Sequence, residues 1–286
     1  MSDHYTHQMI ATNGINLHVV TAGDPTHEPI MLLHGFPENW RCWNHQIDVL
    51  VEHGYYVIVP DQRGYNLSDK PKGVKNYHLD SLTQDIIGLI EALGYEKIYM
   101  GAHDWGAIVA WSIATHYPQY LKKLAVLNVP HPAIMGAEFR RLNLKQIRRS
   151  WYMFFFKIPR FPEWLVRQND WGDAAILRQS SHPDTFTEEE IADYKQAWSQ
   201  PDAMTSMLNW YRAIIPSFAK LPEEQSITVP MRILWGEQDI ALGKELAEKS
   251  IRLCADGELY FFPNATHWLP HDEVDAVNQH FVDFFQ

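Results

Sequence analysis

Cysteine is scarce, with only Cys42 and Cys254 among 286 residues. Two cysteines build no disulfide framework, and their spacing fits no metal motif. Both are expected as small buried apolar side chains, in a reducing compartment. Long apolar runs are missing too; none approaches the ~18 residues that a membrane helix needs. The opening residues Met-Ser-Asp-His-Tyr-Thr-His carry neither the basic nor the apolar stretch of a secretory signal. A cytoplasmic location is therefore expected. Positive charge is short as well: 24 Lys and Arg face 35 Asp and Glu, a net charge of −11. That balance argues against nucleic acid or an anionic membrane surface as partner, since both require a basic footprint. It also disfavours strongly anionic substrates. Arg140, Arg141, Lys145, Arg148 and Arg149 form a basic run at helical spacing, read as a solvated helix face.

What is present is an ordinary globular balance, 46% hydrophobic and 21% charged, in a length that suits one large domain or a domain plus an insertion. Residues 1–132 alternate short β-rich runs with helical patterns. Met9–Thr12 and Asn16–Thr21 flank Asn13-Gly14, a hairpin signal. Ile30–Leu33, Tyr56–Val59, Ile98–Gly101 and Leu124–Leu127 are short apolar runs of the kind buried on both faces of a sheet. Ser81–Leu93 places Leu82, Ile86, Leu89, Ile90 and Leu93 on one helical face, with Gly94 as C-cap. Residues 133–218 lose the strand signal, are rich in aromatics, Arg and Met, and contain a capping box from Thr187 to Glu190. Strand signals return in residues 219–286 at Arg232–Trp235 and Glu258–Phe262, before a terminal helix at Val274–Phe285. The pattern predicts an α/β fold: a parallel sheet flanked by helices, with a helical block inserted.

Four short segments carry chemistry. Ala102-His103-Asp104-Trp105-Gly106 follows one strand and precedes the helical stretch Ala107–His116. Small residues two before and two after a central side chain are what a nucleophile elbow demands, because the sharp turn leaves no room for larger ones. Here the central side chain is a carboxylate, which needs no deprotonation and forms an ester when it attacks. The plainer alternative is an Asp capping the next helix. His34-Gly35-Phe36-Pro37 follows another strand, and a backbone N–H there would join that of Trp105 in an oxyanion hole. Each such donor is worth roughly 3 kcal/mol. Pro37 is a candidate for a cis bond in that tight turn. Trp235-Gly236-Glu237-Gln238-Asp239 and Asn264-Ala265-Thr266-His267-Trp268 follow the last two strands. Nucleophile, acid and base in that chain order match the arrangement of an α/β-hydrolase sheet. His267 would activate water and Asp239 would hold its tautomer. Glu237 rivals Asp239, which lies deeper in the loop.

Taken together, His34-Gly-Phe-Pro37, Asp61-Gln-Arg-Gly64 with Ser68-Asp69, His103-Asp-Trp-Gly106, Gly236-Glu-Gln-Asp239 and Thr266-His267 resemble the epoxide hydrolases of the α/β-hydrolase superfamily. The likeness runs in order over essentially the whole chain. It implies an eight-stranded, mostly parallel sheet and a helical cap whose two tyrosines donate hydrogen bonds to the epoxide oxygen. The segment Ser150-Trp151-Tyr152 resembles the first tyrosine's surroundings, and Asn209-Trp210-Tyr211-Arg212 the second's. An opening epoxide generates an alkoxide, so an acid is needed as the bond breaks. His34, Pro37, His103, Trp151, Phe155 and Trp210 are expected to contact substrate. No metal or organic cofactor is expected; the partners are a small hydrophobic epoxide and water, with the chain a monomer or homodimer. Haloalkane and haloacid dehalogenases share the Asp nucleophile. One subtype often has Asn where Phe36 stands, and another has Arg in place of Trp105. A non-catalytic receptor on the same fold is the remaining alternative.

Overall fold

Asn13 and Gly14 take positive φ, 43° and 76°, and turn the chain between β1 (Thr6–Thr12) and β2 (Ile15–Ala22). The structure, a computed structural model, describes residues 5–168, 171, 174–218, 220–222 and 226–286. The expected boundary at residue 219, and residues 1–4 of the opening segment, lie outside the described residues. Six further strands follow: β3 (Glu28–Leu33), β4 (Tyr55–Pro60), β5 (Ile98–His103), β6 (Leu121–Leu127), β7 (Met231–Gly236) and β8 (Gly257–Phe262). They form one sheet in the order β1-β2-β4-β3-β5-β6-β7-β8. β1 and β2 pair antiparallel, β2 meets β4 antiparallel, and every later pairing is parallel.

The apolar runs read as doubly buried strands are so. Along β3, Ile30 and Leu32 pack on one face with the helices Asn44–Glu52 and Val274–Phe285. Met31 and Leu33 pack on the other with Leu79–Ala92 and Asp104–His116. Strand β6 begins at Leu121, three residues before the apolar run suggested. Lys122 and Lys123 sit at its start and reach outward, Lys123 to the carbonyls of Phe284 and Gln286 at 2.6 and 2.7 Å. A snorkelling lysine hides a strand end from pattern reading.

Between β6 and β7, the elements formed by the described residues are all helices. The Thr187–Glu190 capping box is present at the start of Glu188–Trp198. This block is bonded down onto the loops that leave the sheet. Trp198 donates to the Pro37 carbonyl at 2.5 Å, and Trp210 to that of Arg63 at 3.0 Å. Among the described residues, no helix is long and apolar enough to cross a membrane.

Candidate active site

The helix read from Ala107 begins three residues earlier, at Asp104 itself, directly off β5. Asp104 has φ 48°, the left-handed region that a residue with a Cβ rarely occupies. The turn is crowded on all sides. A Cβ on Gly106 would stand 2.4 Å from the Leu33 carbonyl oxygen, and one on Gly35 would stand 2.2 Å from Asp104 Cβ. This is the physical reason for small residues around the elbow. The carboxylate does not cap its own helix. Its Oδ1 accepts from the Phe36 N–H at 2.6 Å, and its Oδ2 lies 3.4 Å from His267 Nε2. The Phe36–Pro37 bond is cis.

His267 Nδ1 donates to Asp239 Oδ2 at 2.7 Å. Asp239 is buried, and its Oδ1 accepts from the N–H groups of Ala241 and Leu242 at 2.7 and 2.9 Å. Glu237 turns away and pairs with Lys244 at 2.5 Å. Burial opposes the ionisation of Asp239, but the imidazolium beside it and its donors hold the carboxyl below its ordinary value. Burial likewise opposes charging of His267. The two flanking carboxylates outweigh it and push the imidazole up to about 10. His267 is therefore an imidazolium at neutral pH, held between Asp239 and Asp104.

A cavity of about 1180 Å³ opens above Asp104 and His267. Phe36, Pro37, Trp151, Tyr152, Phe155 and Tyr211 line it. Trp105 flanks a small recess beside Asp104, with Tyr152 and Tyr211. The Tyr211 ring stands edge-on to Trp105 and Phe36, with centroids at 4.7 and 5.3 Å. Burial first, then the charge of Asp104, pushes both the Tyr152 and Tyr211 phenols up, so each keeps its proton.

Three expected substrate contacts are displaced. His34 is fully buried behind the loop, where its Nε2 accepts from the Gln62 N–H at 3.1 Å. His103, also fully buried, donates from Nε2 to the His267 carbonyl at 2.8 Å. Trp210 is carried on the helix Ala203–Phe218 and is buried in the core. None of the three lines the cavity. Each neighbours a residue that does or that bounds the site. One step along a strand reverses the side chain, and one step along a helix turns it by about 100°.

Sequence reading passed over two side chains. Asn128, with φ 53°, donates from Nδ2 to Asp239 Oδ2 at 3.0 Å and accepts the Gly236 N–H at 3.0 Å. Glu38, next to Pro37, is fully buried and accepts from Tyr194 Oη at 2.9 Å and His271 Nε2 at 2.7 Å. Its other oxygen lies 3.5 Å from His103 Nδ1. Burial works against this carboxyl, but His271 and His103 hold it well below the usual range. Nothing in the sequence separated it from a solvated glutamate. His45, Glu190 and His271 bring donor atoms within 4.8 Å of one another. Glu190 already closes the capping box, and His271 is bonded to Glu38.

Residues 28–274 match the alpha/beta hydrolase fold family. The chain belongs to that family, and within it to the epoxide-hydrolase group. It is 46% identical to the AB hydrolase superfamily protein YfhM of Bacillus subtilis, over 98% of this chain and 97% of that one. It is 37% identical to mouse Epoxide hydrolase 4, over 94% of this chain and 76% of that protein. A crystal structure of a Bacillus megaterium epoxide hydrolase mutant complexed with its product, (R)-3-[1]naphthyloxy-propane-1,2-diol, superposes with a TM-score of 0.88. That pair shares 31% identity over 97% of this chain and 99% of that chain.

Proposed function

We propose that this enzyme hydrolyses hydrophobic epoxides to vicinal diols through an ester on Asp104, beneath a helical cap formed by residues 133–218. One observation carries the reading: a carboxylate at the elbow and two protonated phenols share a single cavity. Asp104 attacks one epoxide carbon, the ring C–O bond breaks, and the alkoxide takes up a hydrogen bond and then a proton from Tyr152 and Tyr211. A phenol suits this step because it stays protonated beside a carboxylate. His267 then takes a proton from water, and the hydroxide attacks the ester carbonyl. The N–H groups of Phe36 and Trp105 hold the oxyanion. Its collapse expels the diol and restores the carboxylate. The relatives named epoxide hydrolases support the same assignment. The two free thiols suit the reducing cytoplasm.

The electrostatics imply a switch within the cycle. Esterification removes the charge of Asp104, one of the two carboxylates that raise His267. The imidazole value then falls, and the proton the ring gives up restores the phenol that protonated the alkoxide, leaving a neutral imidazole when a base is required. Ring opening is therefore expected to stay flat between about pH 6 and pH 9, while ester hydrolysis rises with pH to a plateau. Stopped-flow Trp fluorescence separates the two steps; a hydrolysis step without any pH dependence would rule the switch out.

A panel of styrene-type epoxides and 1-bromobutane tests the assignment directly. Diol from the epoxides without bromide release is expected. Bromide alone would identify a dehalogenase, and neither product a non-catalytic receptor. Tyr211→Phe should slow ring opening about 10²-fold and ester hydrolysis far less. Equal slowing of both steps would remove the phenol from its assigned role.

A further inference from the structure

Residues 139–168 hold eight cations and one carboxylate, a local +7 in a chain of net −11. The same 30 residues hold eight aromatics. The carboxylate, Glu163, is buried and bound to Arg212 at 2.7 Å. Lys145 pairs with Glu245, while Arg148, Lys157 and Arg160 have no carboxylate partner among the described residues. The basic run read as an ordinary solvated face thus belongs to a larger surface, and Lys145, Arg148 and Arg149 stand on the rim of the cavity.

Large apolar side chains share that surface. Trp151 is 62% exposed, Trp164 56% and Phe161 48%. They form one chain of ring contacts: Trp151 to Phe155 at 5.8 Å, Phe155 to Phe161 at 5.9 Å, and Phe161 to Trp164 at 5.8 Å. Trp151 and Phe155 line the cavity as well. The apolar strip therefore runs unbroken from open surface into the site. Exposed patches of this kind mark interaction surfaces.

We propose that this cap face docks on an anionic lipid bilayer and presents the cavity mouth to it. Charge selects this occupant. Trp and Phe flanked by Lys and Arg suit the boundary between headgroups and acyl chains, and the anionic leaflet supplies partner charges for Arg148, Lys157 and Arg160. A second copy seated across a two-fold axis would set the same cations against each other. Docked this way, an apolar guest passes from acyl chains along Trp164, Phe161 and Trp151 into the cavity without crossing water. The docking does not depend on the reaction assigned to Asp104, and its test uses no turnover.

The experiment is co-sedimentation with phosphatidylcholine vesicles, with and without about one-third phosphatidylglycerol. Binding to the anionic vesicles should be at least about tenfold tighter than to neutral ones, fall at high salt, and shift Trp emission to the blue. The variants K157E/R160E and W164A should each lose most of that binding with unchanged melting temperature, because these side chains are exposed. The variant K72E/K75E, with the same charge change outside the segment, should keep it. Equal binding to both vesicle types, no binding, or binding indifferent to the cap variants would overturn the proposal. So would a dimer in sedimentation velocity without lipid that W164A dissolves, since a second copy would then be the occupant.

Discussion

Asp104→Ala is expected to abolish turnover of every epoxide the enzyme accepts, by on the order of 10⁴-fold or more. The loss should appear in kcat with the fold intact, because Asp104 packs no core: its partners are the Phe36 N–H and His267. An Ala at φ 48° keeps the strain of the elbow and drops only the carboxylate. Isotope tracing reads the same step without a mutation. In a single turnover in heavy-oxygen water, label should enter the Asp104 carboxylate, and the first diol released should lack it. In the proposed route hydroxide attacks the ester carbonyl, so the oxygen delivered to the product is one the carboxylate already held. Label in the diol and none in the protein would mean direct attack of water on the epoxide.

His267→Gln should stop the cycle between its two halves. In the proposed route ring opening needs only Asp104 and the phenols, so it continues. Ester hydrolysis loses its base and should slow by about 10³-fold or more. The trapped protein should gain the mass of one substrate, and diol release should cease after the ester has formed. Peptide mapping should place the added mass on Asp104. A variant that neither alkylates nor turns over, while keeping its melting temperature, would move His267 into the first step. Gln is preferred to Ala here because it fills the space between Asp239 and Asp104, the two charges that a cavity would leave facing each other across water.

The sequence was most legible where chemistry imposes a steric or periodic signature. Strands buried on both faces advertise themselves as apolar runs, so the sheet was readable to within a few residues. The elbow was readable because Gly106 and Gly35 have no room for a Cβ. Loops that follow strands located Asp239 and His267, and the structure brings them to 2.7 Å. Side-chain direction was the weak point. His34, His103 and Trp210 sit one residue from cavity-lining or site-forming positions and point elsewhere. Buried polar partners were illegible for another reason. Asn128 and Glu38 draw their meaning from residues more than a hundred positions away, Asp239 for one and Tyr194 and His271 for the other. How the cations are grouped on the folded surface was also beyond total charge, which sums over the whole chain.

Glu38 fastens both halves of the molecule with one side chain. Its phenol donor, Tyr194, rides on the helix Glu188–Trp198, and its imidazole neighbours belong to the segments carrying Asp104 and His267. Prising that helix off the sheet would strip a hydrogen bond from a carboxylate whose other oxygen faces His103, and His103 in turn grips the main chain at His267. Under the mechanism above, a guest too broad for the chamber would feel its own girth twice, once in admission and again as slack in the imidazole that must later release it.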